Sequence, residues 1–342
     1  MTLPLVARFP ETKNLAHVTL GCFPTPVESM PELARMLAIP SFFVKRDDIS
    51  GRAYGGNKVR KLEFLLGQAL AENRRALITF GAVGSNHVRA TAVYGRQVGL
   101  QVHAVLAPQP HTPYLDANLV ADRAAGATLH FVESYSLALA RGAELRDQIT
   151  SRDGVEPLVI PFGGTNARGI IGFVNAACEL AGQVAAGALP EPDLIYVPYG
   201  SAGTASGLAM GLAAVGLRTC VIGVRVVPAE STNPVRTRRV MGEAVALLRE
   251  LDGSFPMIRP ESMALEVRDG FLGEEYAAAT PESLEAVALA AAHNIHLETT
   301  YTGKALAALV ADARAGKLAG KTVLFWNTYS STSGPPKPVY GL

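Results

Sequence analysis

The segment Asp193-Leu-Ile-Tyr-Val-Pro-Tyr-Gly-Ser-Ala-Gly-Thr-Ala-Ser-Gly207 indicates the fold of this chain. An apolar run of strand length ends in a turn of small residues, and a helical stretch follows to about Val215. Strand, turn and helix in this order form the unit from which parallel sheets are built. Glycines let the backbone N–H groups of the turn approach an anion, and the helix N-terminus adds positive potential. The segment predicts an α/β fold with a phosphate site, although tight helix–strand packing would require the same small residues.

The glycine spacing in this segment argues against a dinucleotide. Gly200, Gly203 and Gly207 follow a G-x-x-G-x-x-x-G pattern rather than the G-x-G-x-x-G of dinucleotide-binding folds. The turn lacks the Lys-Ser/Thr pair of a P-loop, and no acidic residue closes the next strand at the spacing of roughly 20 residues that binds a ribose. An NAD-linked oxidoreductase is therefore a disfavoured alternative.

The same alternation of strand and helix recurs along the chain. Two clusters of strands are predicted, with helix-length segments between them and further helical windows at about Asn233 to Leu251, Pro281 to His293 and Gly303 to Ala315. The strands of the first cluster are Ala76 to Phe80, Gln101 to Ala107, Thr128 to Val132 and Leu158 to Phe162; those of the second are Asp193 to Pro198, Thr219 to Val227 and Thr322 to Trp326. We expect two doubly wound open-sheet lobes, with the ligand at the carboxyl ends of the strands.

The composition excludes several classes of protein. The 342 residues include 31 Lys plus Arg and 30 Asp plus Glu, and 49% are hydrophobic, which suits neither a disordered chain nor a nucleic-acid-binding protein. Arg236, Arg238 and Arg239 are interpreted as a solvated helix face. No apolar run reaches the about 20 residues of a membrane span, no secretory signal is visible, and a cytoplasmic location is expected. The three widely spaced cysteines predict neither disulfides nor a metal site.

Two lysines follow a glycine-containing turn. Lys58 and Lys61 lie three residues apart after Gly55-Gly-Asn57, so they share one face of the predicted helix. A desolvated lysine near a helix N-terminus has a lowered pKa, and its neutral amine can react with an aldehyde cofactor. A solvated basic helix start is the alternative. Cations are unfavourable in a first helical turn, however, and a nearby anion would explain them.

A third strand-to-helix turn contains Ser85, Asn86, His87 and Arg89. Ser85 and Asn86 are suited to capping the helix that follows. His87 and Arg89 come directly after this cap, where backbone N–H groups and a cation would converge on one small anion. The turn is therefore interpreted as a site for a substrate carboxylate, in addition to its capping role.

Five segments in order resemble the D-cysteine desulfhydrase and 1-aminocyclopropane-1-carboxylate (ACC) deaminase family. The resemblance extends from about Pro24 to Thr328 and implies a tryptophan-synthase-β-like α/β fold of type II, with bound pyridoxal 5′-phosphate (PLP). The segments are Gly55-Gly-Asn-Lys58-Val-Arg-Lys61-Leu-Glu63, Gly84-Ser85-Asn86-His87-Val-Arg89, Gly163-Gly-Thr-Asn166, Gly200-Ser-Ala-Gly-Thr204 and Tyr301-Thr-Gly-Lys304. The resemblance also implies a large PLP-binding domain of residues 1–54 plus 164–342, a small domain of residues 55–163, a small amino-acid substrate and a homodimer.

The resemblance also implies roles for individual residues. Lys58 becomes the Schiff-base lysine, Lys61 lies near the cofactor phosphate, and Asn86 contacts the phenolic oxygen of PLP. Ser85 lies beside the substrate, and Tyr276 and Tyr301 flank it, although ordinary aromatic packing is the alternative for the two tyrosines. The residues implied to cradle the phosphate are Gly200, Ser201, Ala202, Gly203 and Thr204.

Two departures from the family pattern bear on the reaction. ACC deaminases carry a glutamate after the second active-site tyrosine, where it pairs with the pyridine nitrogen, and this chain has Thr302. In desulfhydrases, a threonine of a late His-Thr-Gly-Gly turn takes the pyridine nitrogen, and Thr328 retains that hydroxyl. A neutral hydroxyl leaves a weaker electron sink than a carboxylate does, which favours prompt β-elimination. Ser85, Tyr276 and Tyr301 are candidates for proton transfer with Lys58.

The leaving group stays open at this point. Loss of sulfide from D-cysteine, with pyruvate and ammonia, is favoured by the resemblance, and loss of sulfite by a cysteate sulfo-lyase is the alternative. A sulfonate requires charge-assisted donors, for which Arg168 and the turn from Asn327 to Ser331 are candidates, although a solvent-facing Arg168 is the simpler interpretation. Ring opening of ACC to 2-oxobutyrate and a non-catalytic sensor of a phosphate ligand are further alternatives.

Overall fold

The computed structural model describes residues 2–332, and ten strands are found in this part of the chain. They form one sheet of six strands and one sheet of four. In chain order the strands are β1 (Val27–Ser29), β2 (Ser41–Lys45), β3 (Ala76–Ala82), β4 (Gln101–Ala107), β5 (Thr128–Phe131), β6 (Leu158–Ile160), β7 (Leu194–Tyr199), β8 (Cys220–Arg225), β9 (Leu265–Arg268) and β10 (Thr322–Trp326).

Eleven α-helices connect and cover these strands within the described residues. Most of them follow a strand and return the chain to the opposite edge of a parallel sheet, as the alternating sequence pattern predicts. In chain order the helices are α1 (Pro4–Arg8), α2 (Pro31–Met36), α3 (Lys58–Ala71), α4 (Asn86–Gln97), α5 (Leu115–Ala124), α6 (Tyr135–Asp153), α7 (Ala167–Ala185), α8 (Gly203–Val215), α9 (Pro234–Leu251), α10 (Pro281–Ala291) and α11 (Thr302–Arg314).

Each of the two predicted strand clusters lies in a sheet of its own. The smaller sheet has the order β5-β4-β3-β6 and is parallel throughout. The larger sheet has the order β1-β2-β10-β7-β8-β9, in which only the β1–β2 pair is antiparallel. The predicted α/β fold with two doubly wound open sheets is therefore confirmed. The sequence analysis missed β1, β2 and β9, which have three to five residues each.

Parallel strands bring the functional turns to one edge of each sheet. In the larger sheet, Leu324 of β10 pairs in register with Ile195 of β7 on one side and Phe43 of β2 on the other. The turns after β7 and β10 therefore begin side by side. The Ser85 turn follows β3, the strand between β4 and β6. These are the carboxyl ends of the strands, where open α/β sheets bind their ligands.

Apolar side chains on α7, α8 and the larger sheet form the main core, which includes Phe173, Leu208 and Trp326. A buried ionic network crosses this region and anchors α3. Arg60 of α3 binds Asp47 at 2.8 Å and Glu179 of α7 at 2.9 Å. Loss of one partner from such a network leaves a buried charge uncompensated. Among residues 2–332, no helix is both long enough and apolar enough to cross a membrane.

Candidate active site

A cavity of about 450 Å³ opens at the carboxyl ends of β3, β7 and β10. This volume falls in the range of pockets that bind a cofactor or another small molecule. Thirteen of the site residues expected from the sequence line it, so segments from distant parts of the chain converge there. They are Lys58, Lys61, Ser85, Asn86, His87, Gly200, Ser201, Ala202, Gly203, Thr204, Tyr276, Tyr301 and Thr328.

Lys58 is the first residue of α3, and its side chain faces the cavity while protein surrounds the rest of it. Its Nζ donates a hydrogen bond to Asn57 Oδ1 at 2.8 Å. Burial lowers the pKa of Lys58 to about 8, and the negative charge of Glu298 only partly opposes this effect. A neutral amine, the form that reacts with an aldehyde, is therefore accessible near neutral pH.

The start of α8 has the features of an anion site. Ala202 precedes the helix with a left-handed backbone (φ +67°) and provides no side-chain cap, so the first N–H groups of α8 are left for another acceptor. Lys61 Nζ lies close by, donating to Gly163 O at 2.9 Å and to Thr165 Oγ1 at 3.3 Å. A Cβ atom on Gly203 would lie only 2.7 Å from Lys61 Nζ. Glycine at this position therefore leaves the space above the helix N-terminus open for a ligand.

The electrostatics of Lys61 also fit a phosphate group. Burial, followed by repulsion from Lys58, places the pKa of Lys61 well below its ordinary value. A phosphate at the start of α8 would favour the charged form of this lysine. Around it, Thr165 Oγ1 and Ser201 Oγ lie 2.8 Å apart, and Asn57 donates to Thr204 Oγ1 at 3.0 Å. The residues present therefore fit both ends of PLP: an amine for its aldehyde and a cradle for its phosphate.

Ser85, Asn86 and His87 form the wall of the cavity after β3. Ser85 caps α4, and its Oγ accepts a hydrogen bond from the backbone N–H of Val88 at 3.4 Å. His87 Nε2 lies 3.1 Å from Thr79 Oγ1. Burial first, and then the charges of Lys58 and Lys61, lower the pKa of His87 well below its ordinary value. The imidazole of His87 is therefore neutral near neutral pH.

Arg89 differs from the expectation for this turn. Its Nη1 donates to Asn118 Oδ1 at 2.9 Å, and its guanidinium packs over the ring of Tyr54. It is not among the described residues that line the cavity. Arg89 thus supports the wall from behind, and a substrate carboxylate would rely on the helix N-terminus and on polar side chains there.

Two tyrosines close another side of the cavity. The hydroxyl groups of Tyr276 and Tyr301 are hydrogen-bonded at 2.5 Å, and their rings meet edge to face. Burial raises the pKa of both well above the ordinary value, so both keep their protons at neutral pH. One proton serves the bond within the pair, and the other remains for a ligand.

Glu298 is a cavity-lining carboxylate that the sequence analysis missed. Its oxygens accept hydrogen bonds from the backbone N–H groups of Thr300 at 2.7 Å, Tyr301 at 2.9 Å and Thr302 at 2.8 Å, so it caps the start of α11. The Thr302 hydroxyl also binds this carboxylate, at 3.1 Å. An acidic residue just before a predicted helix was the available signal.

The basic side chains are placed differently from the expectation. Arg168, a candidate donor to a sulfonate, does not line the cavity within the described residues. Arg236, interpreted as part of a solvated helix face, is exposed but also lines the cavity. In the late turn, Thr328 and Tyr329 line the cavity, whereas Ser330 and Ser331 bind Gly55 and Asp48.

Known proteins with this arrangement depend on pyridoxal phosphate. The family model for pyridoxal-phosphate dependent enzymes matches residues 18–328. D-cysteine desulfhydrase of Klebsiella pneumoniae is 35% identical over 91% of this chain and 90% of its own length. A putative ACC deaminase of Pyrococcus furiosus is 32% identical over 95% of this chain and 93% of its own.

A solved structure agrees with these sequence relatives. The crystal structure of an ACC deaminase homologue superimposes with a TM-score of 0.81 and 30% identity, covering 96% of this chain and 95% of that one. The likeness therefore extends over nearly the whole chain. This chain belongs to the pyridoxal-phosphate-dependent enzymes, as a lyase of the group that contains D-cysteine desulfhydrase and the ACC deaminase-like proteins.

Proposed function

We propose that this enzyme removes the β substituent of a small sulfur-containing amino acid, with D-cysteine as the first candidate. Cysteine and water would give pyruvate, ammonia and hydrogen sulfide. The observation that carries the choice over ACC ring opening lies at Thr302. At the position where ACC deaminases carry a glutamate, this chain has a threonine whose hydroxyl is engaged by Glu298. The nearby carboxylate itself is held by three backbone N–H groups.

Lys58 is the base in this proposal. When bound, PLP would supply an electron sink for the substrate amino acid, which would make the α-proton acidic. Lys58 Nζ, with its pKa lowered to about 8, can then accept that proton near neutral pH. Departure of sulfur from Cβ uses the electron pair left by the proton. The burial that lowers the pKa of Lys58 therefore supports both its bond to the cofactor and its action as a base.

The tyrosine pair is the proposed source of the proton for the leaving sulfur. Tyr276 and Tyr301 share one hydrogen bond, so one of the two hydroxyl protons is available to an acceptor in the cavity. Ser85 provides a further hydroxyl on the wall after β3. Thr328 is proposed to face the pyridine nitrogen of PLP, and the Asn86 side chain to contact its phenolic oxygen. Lys61 and the Gly200–Thr204 turn are proposed to hold the phosphate, and Ser85, Asn86 and His87 to bind the substrate carboxylate.

We extend the proposal to the organisation of the enzyme. A large domain of residues 1–54 plus 164–342 and a small domain of residues 55–163 are supported by the sheets, since each sheet draws its strands from one of these two sets. Residues 333–342 of the large domain, and Met1, lie outside the described residues. A homodimer is supported by the family resemblance alone.

Cysteate is the second candidate substrate, and Arg236 is the observation that favours it. A sulfonate carries a negative charge that needs a charge-assisted donor. Arg236 is a cation that borders the cavity, next to Asn233 and Thr237. Release of sulfite in place of sulfide would leave the roles of Lys58 and the tyrosine pair unchanged.

A substrate panel tests the proposal directly. D- and L-cysteine, D- and L-cysteate, β-chloroalanine, D-serine and ACC would each be assayed for keto acid, sulfide and sulfite. We expect pyruvate with equimolar sulfide from D-cysteine. Sulfite from cysteate, lost in Arg236→Ala but kept in Arg238→Ala, would support the second candidate. Turnover of ACC alone, to 2-oxobutyrate, would contradict the proposal.

A further inference from the structure

A row of hydrogen-bonded polar side chains lies behind Asn86, between α4 and α5. Arg89 Nη1 donates to Asn118 Oδ1 at 2.9 Å. Asn118 Nδ2 donates to Asn86 Oδ1 at 3.1 Å and to the carbonyl of Gly84 at 2.8 Å. Asn118 lies on α5, is 1% exposed, and has no role in the expectations drawn from the sequence.

The donor and acceptor groups around Asn118 allow only one orientation of its side-chain amide. A guanidinium only donates hydrogen bonds, so Arg89 requires the oxygen of Asn118 to face it. The Nδ2 group of Asn118 must then face Gly84 and Asn86. The carbonyl of Gly84 only accepts, which requires the same orientation independently. Arg89 and Gly84 together therefore fix which end of the Asn118 amide faces Asn86.

Asn86 receives its orientation from Asn118. Its Oδ1 accepts from Asn118 Nδ2 and also lies 3.1 Å from the Tyr54 hydroxyl. A tyrosine hydroxyl either donates or accepts, so Tyr54 alone would tolerate both orientations of the Asn86 amide. Asn118 tolerates only one, because it offers a donor. The Nδ2 group of Asn86 is then the end of the amide that remains for a ligand in the cavity.

We propose that Asn118 is a positioning residue that fixes the amide of Asn86 so that Asn86 presents a hydrogen-bond donor to the phenolic oxygen of the cofactor. The inference rests on the contact between Asn86 and PLP in the proposed function. Without Asn118, the Asn86 amide can rotate and present an oxygen to an oxygen that carries negative charge. The resulting repulsion acts on the phenolic oxygen of the bound cofactor and not on a contact with the substrate.

The protonation of the bound cofactor measures this effect without any substrate. A donor at the phenolic oxygen stabilises negative charge there, so its loss holds the proton shared with the neighbouring nitrogen to higher pH. In the holoenzyme of Asn118→Leu, we expect the pH midpoint of the visible absorption band to rise by about one unit. The midpoint should also rise in Asn118→Ala, which removes the donor to Asn86 without adding a charge. The other titratable or charged groups around this wall are unchanged in both variants; they are Tyr54, Lys58, Lys61, His87, Arg89, Asp122, Tyr276, Glu298, Tyr301 and Tyr329.

Tyr54→Phe is the matched control. It removes the other contact to Asn86 Oδ1 but leaves the amide orientation fixed by Asn118, so its midpoint should stay close to that of the parent. The inference is overturned if both Asn118 variants bind cofactor and titrate as the parent does, or if Tyr54→Phe shifts the midpoint as far as Asn118→Leu. If Asn118→Leu fails to fold, the smaller Asn118→Ala decides. If the midpoints shift as expected but the enzyme does not turn over cysteine, the proposed function is refuted and this inference stands.

Discussion

The hydroxyl groups of Tyr276 and Tyr301 lie 2.5 Å apart at the wall of the cavity, each from a separate segment of the chain. Because burial raises the pKa of both tyrosines, the pair holds two protons at neutral pH. Tyr276→Phe removes one of them and the short bond, and we expect kcat for β-elimination to fall by roughly a hundred-fold or more. Cofactor binding, followed by the visible absorption band, should change little.

Tyr135→Phe is the control for the tyrosine pair. Tyr135 also lines the cavity, but its ring packs against Phe162 and its hydroxyl has no hydrogen bond within residues 2–332. We expect its kcat to stay within a few-fold of the parent value. Equal losses in Tyr276→Phe and Tyr135→Phe would show that the pair has no special part in proton transfer.

Gly203 is predicted to be essential for phosphate binding. Its added Cβ would lie 2.4 Å from Thr165 Oγ1 and 2.7 Å from Lys61 Nζ, in the space above the start of α8. We expect Gly203→Ala to weaken PLP binding at least ten-fold, measured by equilibrium titration of the cofactor-free protein. Gly182→Ala is the matched control, since nothing lies within 4 Å of a Cβ at that helical position. It should bind PLP normally and gain about 0.5–1 kcal/mol of stability. Normal binding in Gly203→Ala would contradict the assignment of the phosphate site.

The lowered pKa of Lys58 predicts the pH dependence of cofactor capture. With a pKa of about 8, about a tenth of Lys58 is neutral at pH 7 and half at pH 8. The rate at which cofactor-free protein captures PLP should therefore rise about five-fold between these values and level off above pH 9. The same measurement with a free amine of ordinary pKa corrects for titration of the reagent. A rate that keeps rising ten-fold per pH unit to pH 10 would show an ordinary lysine.

The same shift has a consequence for stability. Between about pH 8 and the ordinary lysine value of 10.5, the unfolded chain binds the proton of Lys58 and the folded chain does not. The contribution of Lys58 to the free energy of unfolding of the cofactor-free protein therefore becomes more favourable as the pH rises through this interval. Urea unfolding of the parent and of Lys58→Met across the interval isolates this contribution as the difference in slope.

Arg60 is predicted to hold α3, and with it Lys58 and Lys61, in place. Arg60→Leu leaves Asp47 and Glu179 buried without their guanidinium, and we expect a loss of about 3–5 kcal/mol in the free energy of unfolding. Lys13→Ala breaks an ion pair with Glu11 in which both side chains are more than half exposed, and should cost less than about 1 kcal/mol. Similar losses in the two variants, by urea titration, would argue against a structural role of the buried network.

The sequence predicted the parts of the molecule that local patterns determine. The strands β3, β4, β7 and β10, and the turns at their carboxyl ends, follow from hydrophobic runs that end in small residues. Composition and turn chemistry alone indicated a phosphate site at Gly200–Thr204, and the family resemblance was needed to name the cofactor and most of the roles. The short strands β1 and β9 carry too few residues to show a period.

The features that the sequence could not predict depend on contacts between residues far apart in the chain. Thr165 binds Ser201 and Lys61, and Asn57 binds Thr204, across 36 to 147 positions of the chain. Glu298 enters the cavity because it caps a helix, and Asn118 reaches Asn86 because α4 and α5 are neighbours. Arg168 and Arg236 show the same limit: both are basic residues near a helix start, and only the packing distinguishes the one that borders the cavity.

The attachment point of the cofactor tests the central claim most directly. Reduction of the holoenzyme with borohydride would fix the cofactor to the amine that holds it, and peptide mass spectrometry would identify that residue. We predict that the label is found on Lys58 alone, and that Lys58→Ala has neither the label nor the visible absorption band. Label on Lys61 or Lys304, or a normal band in Lys58→Ala, would contradict the account.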